Sequence, residues 1–282
     1  MAGNGGGWRL PITRPNRTVD DAGPLIFVGG AGDFDSQGLI AHAGDFDAQV
    51  TGALANVVAD LGQRGCGLAD VFRLKAFYQS DGSRDAWALL AALHRAFDLD
   101  PAPAISLQPM PLQPFAGQTV QLQAIAAKGW RDNADLRVIE APVPDRVASL
   151  FDRPRHTVGL RAGELIVVPG RTAMGDQGEP LALGRGVEQT DIIMDGIEAT
   201  LAELGASYQD AIKMESYYFG ATMDEWAPMS ARRATYFREP AAPSTSVPCH
   251  ALYPEGSNTM IEALAMRDHR NGFDKYIPRD DR

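Results

Sequence analysis

The chain has 282 residues, of which 45% are hydrophobic and 22% are charged, and its formal net charge is −10. These values are typical of a globular protein with room for two domains. The acidic balance disfavours nucleic acid and anionic membranes as partners, because both attract basic surfaces, and no apolar run approaches the roughly 20 residues that cross a bilayer.

The N-terminal stretch MAGNGGGWRL lacks the charged and then apolar pattern of an export signal, so we expect a flexible segment over residues 1–8. Cys66 and Cys249 lie outside any CxxC motif, and two cysteines cannot form a disulfide framework. Both observations favour a cytoplasmic protein.

The sequence repeats itself at an offset of 140 residues, since GPLIFVGGAG begins at Gly23 and GELIVVPGRT begins at Gly163. The same offset pairs identical residues further along the chain: Gln49 with Gln189, Leu61 with Leu201, Gly65 with Gly205, Asp70 with Asp210, Tyr78 with Tyr218 and Ser106 with Ser246. A register that persists through helices, strands and turns predicts a tandem duplication.

Each half begins with the same predicted elements. Apolar runs at 25–28 and 165–168 end in or near glycine and predict strands. The segments DSQGLIAH and GDQGEPLAL predict hairpin turns, each followed by a second strand. Apolar residues at helical spacing then predict a helix in each half, which Gly65 and Gly205 end.

The remaining elements also come in pairs. DVFRLKAFYQ and DAIKMESYYF predict strands, and second helices are predicted from Trp87 and from Trp226. AISLQPM and TVQLQAIAA are the closing strands of the first half, and STSVPCHAL and TMIEALAM are those of the second. The segment LRVIEAP is expected to hold the first strand of the second half.

The order of elements is therefore ββαβαββ in each half, an α+β fold with two helices on one face of a mixed sheet. We expect one domain over 9–127 and another over 135–268. A linker at 128–134 joins them, and a C-terminal tail follows at 269–282.

This order, with the stretches GPLIFVGG, PAIS and AIA and their counterparts in the second half, resembles the RidA family of imine and enamine deaminases. The resemblance covers about 9–127 and 135–266. It implies a chorismate-mutase-like domain that packs sheet against sheet in groups of three, with the ligand in clefts between neighbours. It also implies hydrolysis of an imine, with release of ammonia and without a cofactor.

The resemblance further implies an arginine that binds the substrate carboxylate, in a stretch reading PARS. That position holds Ile105 in the first half and Thr245 in the second, and the glutamate of the last strand is replaced by Gln121 and Met260. The usual catalytic set is therefore missing from both halves. Neither isoleucine nor threonine can replace the bidentate guanidinium.

Arg171 is the candidate for a replacement anchor. It follows Gly170 directly, at the edge of a strand where the resemblance implies a cleft. The alternative is an exposed arginine in a turn. We therefore expect the ligand to contact Arg171, Gly170, Ile105 and Thr245.

Lys75 and Glu215 occupy the same position of the third strand in the two halves. Alternation places two sets of side chains on opposite faces in the first half, Phe72, Leu74 and Ala76 against Arg73, Lys75 and Phe77. If the apolar set meets the helices, Lys75 and Glu215 point into the interface between the sheets. There they form either a structural ion pair or a general acid and base with shifted pKa values.

Glu262 is the third candidate acid or base. It lies on the last strand, where the first half has Gln123, and either a structural role or a role in a cleft fits it. Cys249 and His250 are adjacent, and neighbours in a strand face opposite ways, so they make a poor catalytic dyad. The five histidines lack metal-ligand spacing, and neither GxSxG nor a P-loop occurs, so we expect no metal and no cofactor.

Two functions follow from these residues. One is a divergent RidA-like hydrolase or deaminase that acts on a C–N bond, with Lys75, Glu215 and Glu262 as its catalytic candidates. The other is a non-catalytic protein that binds a small molecule or a partner. A water-accessible acid or base near an anion anchor favours the enzyme, and an apolar cleft favours binding. In both cases we expect a small-molecule ligand in clefts between domains or subunits, and a homo-oligomer.

Overall fold

The structure is a computed structural model that describes residues 19–22, 24–80, 86–238 and 241–267. It contains two mixed sheets, one of five strands and one of six. We call the part built on the first sheet domain 1 and the part built on the second sheet domain 2. The predicted flexible segment at 1–8 and the tail at 269–282 lie outside the described residues.

Domain 1 carries two helices on one face of its sheet. Its elements in chain order are β1 (Val19–Ala22), β2 (Leu25–Ala31), α1 (Phe46–Gly62), β3 (Val71–Gln79), α2 (Ala86–Phe97), β4 (Ala104–Met110) and β5 (Val120–Ala127). The sheet order is β1-β2-β5-β3-β4, and only β3 and β4 run parallel.

Domain 2 has the same order of elements with one strand added at its start. Its elements are β6 (Arg137–Pro142), β7 (Arg155–Ala162), β8 (Leu165–Arg171), α3 (Gly186–Glu203), β9 (Ala211–Phe219), α4 (Met223–Ala234), β10 (Ser244–Cys249) and β11 (Thr259–Met266). The sheet order is β10-β9-β11-β8-β7-β6. The predicted α+β fold, with two helices on each mixed sheet, is therefore confirmed.

Local sequence explains the helix boundaries. The carboxylate of Asp45 accepts a hydrogen bond from the amide of Ala48 and caps the start of α1. After the helices α1 and α3, the chain turns through Gly65 and Gly205, whose φ angles of 67° and 77° are left-handed. No helix of the described residues is both long enough and apolar enough to cross a membrane.

A core lies between the helices and the sheet in each domain. In domain 1, Val57 and Leu61 of α1 are completely buried against the sheet, and Leu93 of α2 is too. In domain 2, Ile197 and Leu201 of α3 are equally buried. Fully burying a leucine or isoleucine stabilises the fold by about 1.5–3 kcal/mol, so the apolar stripe of each helix fixes the face on which it packs.

The predicted first hairpin of each half was misplaced. The segments after β2 and β8 form no second strand and contribute only two isolated bridges, Phe34 with Ile40 and Met174 with Pro180. The partner strands lie upstream instead, as β1 and β7. The segment LRVIEAP does form a strand, β6, but β6 pairs with β7 at the sheet edge and has no counterpart among the described residues of domain 1.

The predicted faces of β3 also need one correction. A register shift between Val71 and Arg73 makes Phe72 face domain 2, whereas Leu74 and Ala76 face the helices as predicted. The irregularity interrupts the strict alternation of side chains on which the prediction rested.

The two domains pack sheet against sheet. Strand β4 of domain 1 lies over β7 and β8 of domain 2. Apolar side chains from both domains fill part of this interface: Phe72, Ala104, Trp130, Leu160, Leu165 and Val167. The same interface contains polar and charged side chains, which define the candidate site.

Candidate functional site

The interface contains a buried cluster of four charged side chains, which we call the interface cluster: Arg73, Lys75, Glu215 and Glu262. Lys75 of β3 is ion-paired with Glu215 of β9 and with Glu262 of β11. Arg73 lies 2.9 Å from Glu262 and 3.3 Å from Glu215 between nitrogen and oxygen atoms. Three predicted catalytic residues are thus brought together, although they come from two domains.

The positive and negative charges of the interface cluster neutralise one another. Burial alone would raise the pKa of Glu262, but the positive charges of Arg73 and Lys75 hold that pKa well below its usual range. Burial alone would lower the pKa of Lys75, and the carboxylate of Glu262 raises it above its usual value. Two cations face two carboxyl groups, so the arrangement is that of a structural ion cluster.

Glu215 differs from Glu262 in its access to solvent. Its side chain is 26% exposed, against 4% for Glu262. Burial raises the pKa of Glu215, and the neighbouring Glu262 carboxylate raises it further. Of the two carboxyl groups, Glu215 therefore takes up a proton first as the pH falls.

A separate cavity of about 220 Å³ lies between the domains. We call it the interdomain cleft. Its lining includes Trp87 and Ile105 from domain 1 and Ala141, His156, Val158, Gly170, Arg171, Met174 and Asp176 from domain 2. Three of the four predicted ligand-binding residues, Ile105, Gly170 and Arg171, therefore line one cavity.

Arg171 is the cation of this cleft. Its Nη1 donates to the carbonyl of Gly196 at 2.8 Å and to Oγ1 of Thr200 at 2.7 Å. These bonds hold the side chain against α3. Among the described residues no carboxylate lies within 4 Å of the guanidinium, and no protein acceptor is recorded for Nε or Nη2. Burial lowers the pKa of Arg171, which still leaves it charged at neutral pH.

His156 also lines the cleft, and it was not predicted as a site residue, because the spacing of the histidines was informative only about metal binding. The imidazole packs edge to face against Trp87, with ring centroids 5.3 Å apart. Burial lowers its pKa to about 4, and nearby His94 and Arg171 lower it as well, so the ring is neutral at pH 7. Its Nδ1 is buried and has no hydrogen-bond partner among the described residues.

The proximity of His156 to Arg171 becomes apparent only in the folded chain. The two lie 15 positions apart on neighbouring strands, β7 and β8, and no sequence motif links them. The signal available in the sequence was weak, namely a histidine inside a strand-like segment.

The fourth predicted ligand-binding residue lies elsewhere. Thr245 is exposed on β10, where its hydroxyl accepts a hydrogen bond from Lys213. Cys249 is buried, and burial raises the pKa of its thiol to about 12, which makes it a poor nucleophile. Within the described residues no group of three or more His, Cys, Asp or Glu side chains could hold a metal ion.

Comparisons with known proteins agree with the fold of domain 2. The sequence model of the family described as Endoribonuclease L-PSP matches residues 152–267. No curated protein matches the chain.

Several solved structures are similar to part of this chain. A member of the YjgF/YER057c/UK114 family from Mycobacterium tuberculosis is 23% identical, with a TM-score of 0.34, and the match covers 45% of this chain and 99% of that one. The YjgF gene product of E. coli is 22% identical, with a TM-score of 0.35 and coverage of 40% and 87%. RidA from an Antarctic Psychrobacter species is 18% identical, with a TM-score of 0.35 and coverage of 39% and 87%.

The residues that match the Endoribonuclease L-PSP sequence model lie within domain 2, an α+β domain. Over these residues the chain is therefore similar to that family, in line with the resemblance of the sequence.

Proposed function

We propose that the protein is a divergent RidA-like hydrolase that acts on a C–N bond of a small carboxylate, and that the substrate binds in the interdomain cleft. The observation that supports this most strongly is Arg171, a half-buried guanidinium in the cleft without a carboxylate partner among the described residues. A desolvated charge without a counter-ion is costly. A carboxylate ligand would remove that cost and match the geometry of the guanidinium.

The size and lining of the cleft support a small, partly apolar substrate. Trp87, Ile105, Val158 and Met174 provide apolar surface beside Arg171. A volume of about 220 Å³ admits a compact molecule of a few carbon atoms and excludes a polymer. The substrate class is therefore a short apolar group joined to a carboxylate. The acidic net charge of −10 also argues against RNA, despite the name of the family model.

The proposed reaction is attack of water on the carbon of a C=N bond. The imine carbon gains the water oxygen, the nitrogen leaves as ammonia, and the product is the corresponding ketone or aldehyde. Such an attack needs a proton acceptor. Asp176, exposed at the rim, and the neutral imidazole of His156 are the acceptors that line the cleft. No cofactor takes part in this proposal.

The earlier catalytic candidates fit this reaction less well. Lys75 and Glu262 are 1% and 4% exposed, and both are held in the interface cluster. Only Glu215 has appreciable solvent access. We assign Lys75 and Glu262 a structural role, which was one of the two alternatives that the sequence left open.

A second candidate function is binding without catalysis. The observation in its favour is that the charged side chains of the interface cluster neutralise one another outside the cleft. In that case Arg171 would hold a carboxylate metabolite that is not turned over.

An assay of ammonia release separates the two functions. Imines are made in situ from short apolar amino acids by an amino-acid oxidase, and the imine that remains is trapped with semicarbazide. The proposal predicts faster imine loss and ammonia release with the protein, and loss of this acceleration in Arg171→Ala. Arg155→Ala, which removes an exposed arginine paired with Glu140, is the matched control. Binding of butyrate without any acceleration would favour the non-catalytic function.

We also propose that the chain forms a homo-oligomer. The three residues 244–246 of β10 are exposed, whereas the corresponding residues 104–106 of β4 are buried against domain 2. Because β10 is exposed where its counterpart β4 is buried, we expect β10 to contact a second chain. Sedimentation velocity tests this: a purely monomeric protein at micromolar concentration would contradict it.

A further inference from the structure

Strand β8 contains a bulge next to Arg171. Arg171 pairs with Ile261 of β11 and Val168 pairs with Ala263, so Pro169 and Gly170 together face the single residue Glu262. Such a bulge bends the strand and redirects the side chains beside it. The direction of the Arg171 side chain therefore depends on how the bulge is held.

The bulge is held by a residue of the other domain. Pro169 has no amide hydrogen, so Gly170 supplies the only backbone donor of the bulged pair. The Gly170 amide donates to Oγ of Ser106 at 2.9 Å. Ser106 lies on β4 of domain 1, is completely buried, and is the in-register neighbour of Lys75.

The hydroxyl of Ser106 is oriented by the interface cluster. It donates to Oε2 of Glu262 at 2.7 Å. A carboxylate can only accept, so the hydroxyl hydrogen is committed to Glu262 and a lone pair of Oγ remains for the Gly170 amide. The bond to Glu262 is charge-assisted, and therefore stronger than one between neutral groups.

We propose that Ser106 is a positioning residue for the anion anchor: its hydroxyl connects the interface cluster to the bulge at Gly170 and so holds Arg171 in the interdomain cleft. This inference rests on the proposed function for its ligand, a small carboxylate, but the connection itself can be tested without a ligand. It links the charge cluster, which lies outside the cleft, to the affinity of the cleft.

The offset of 140 provides an internal comparison. Strand β2 has the same irregularity, since Val28 pairs with Ala124 and Ala31 pairs with Leu122, which leaves Gly29 and Gly30 opposite one residue. The residue that corresponds to Ser106 is Ser246, which is exposed on β10. Of the two bulges, only the one at Gly170 is hydrogen-bonded to a serine of the other domain among the described residues.

The test compares the wild type with Ser106→Ala by NMR and by butyrate binding. The alanine variant should lose at least about tenfold of the protection of the Gly170 amide against hydrogen exchange, and the Arg171 Nε–H resonance should shift. The dissociation constant of butyrate should rise about tenfold, as expected for the loss of one hydrogen bond. Ser106→Thr keeps the hydroxyl and should restore the protection of Gly170.

The control is Thr157→Val. Thr157 is also buried, and its hydroxyl donates across the interface to the carbonyl of Ala102 at 2.8 Å. It has no bond to the bulge, so the valine variant should lose comparable stability while its butyrate affinity stays within about twofold of the wild type. Should Ser106→Ala fail to fold, Ser106→Cys, similar in shape but a much weaker donor, gives the same comparison.

The outcomes are distinct. If the wild type binds no butyrate, the proposed function fails, and the positioning role is then decided by the Gly170 and Arg171 signals alone. The positioning role is overturned if Ser106→Ala leaves the Gly170 and Arg171 signals unchanged. It is also overturned if the wild type binds butyrate and Ser106→Ala changes these signals but binds butyrate equally well.

Discussion

Lys75 and Glu215 occupy corresponding positions of β3 and β9, 140 residues apart, and their side chains meet as an ion pair across the domain interface. Each strand forms the same part of its sheet, next to β5 in one domain and β11 in the other. Corresponding residues of the two halves thus carry opposite charges at the interface. Glu262, paired in register with Glu215, brings a second carboxylate to the same lysine.

This cluster predicts a large loss of stability when its lysine is removed. Lys75→Met keeps most of the side-chain volume but leaves Glu262 with one cation fewer in a buried place. Breaking one partner of a buried pair costs about 3–5 kcal/mol, so we expect a decrease of that size in the unfolding free energy from urea denaturation. Glu188→Gln, which removes an exposed pair with Arg185, should change it by less than about 0.5 kcal/mol. Equal effects of the two substitutions would contradict a buried cluster.

Two buried histidines predict a loss of stability in mild acid. Burial lowers the pKa of both His94 and His156 to about 4, and the nearby Arg153 contributes for His94. The unfolded chain, with an imidazole pKa of 6.5, therefore binds more protons than the folded protein between these values. The unfolding free energy should fall as the pH decreases from 6.5 towards 4, by on the order of 2 kcal/mol for each imidazole.

Glu262 adds to this trend at lower pH. The pKa of Glu262 lies below the usual carboxyl value. Glu262 therefore contributes fully to the unfolding free energy above about pH 4.5, and this contribution is lost in stronger acid. The raised pKa of Glu215 acts in the opposite direction. Replacing His94 and His156 together by asparagine should flatten the curve between pH 6.5 and 4. An unchanged slope in the double variant would remove the histidines as its cause.

Most of the fold could be predicted because it rests on local patterns. The helices α1 and α3 show apolar spacing and end near glycines, and the last strand of each domain, β5 or β11, is a largely buried, mostly apolar run. The strand β1, with the sequence VDDA, could not be recognised, because an edge strand with two aspartates has no apolar alternation. The face of Phe72 was wrong because a register shift is set by the neighbouring strand β5 and leaves no mark in its own segment.

The site was predictable in part for the same reason. Lys75 and Glu215 could be predicted because charged residues on the interface face of a strand are unusual, and Arg171 because it follows Gly170 at the edge of a strand where the resemblance implies a cleft. His156 and Ser106 were not assigned roles, because their importance depends on contacts across the interface, with Trp87 in one case and with Gly170 in the other. Such contacts appear only after the two sheets have packed together.

Ile105 occupies the place at which the resemblance implies the carboxylate-binding arginine, and it is 8% exposed in the cleft. Ile105→Arg adds a second guanidinium beside Arg171 without a counter-ion, so we expect the free protein to lose about 2–4 kcal/mol. Butyrate should then raise the melting temperature of the variant more than that of the wild type, because the stabilisation of the folded state by a ligand grows with the logarithm of its affinity. Ile105→Met, which stays apolar, is the control. Equal butyrate shifts in all three proteins would show that position 105 does not face the ligand.

Two glycines in different surroundings predict opposite effects of the same substitution. A Cβ atom at Gly159 of β7 would lie 2.5 Å from Cγ2 of Thr200 and 3.3 Å from Leu204. Thr200 also accepts a hydrogen bond from Arg171, so Gly159→Ala should both lower the unfolding free energy by about 1–3 kcal/mol and weaken butyrate binding.

At Gly62, the last residue of α1, a Cβ atom would meet nothing within 4 Å. Gly62→Ala should therefore stabilise the protein by about 0.5–1 kcal/mol without affecting the cleft. Urea denaturation and butyrate titration of the two variants check both statements, and tight butyrate binding by a destabilised Gly159→Ala protein would show that Thr200 does not control Arg171.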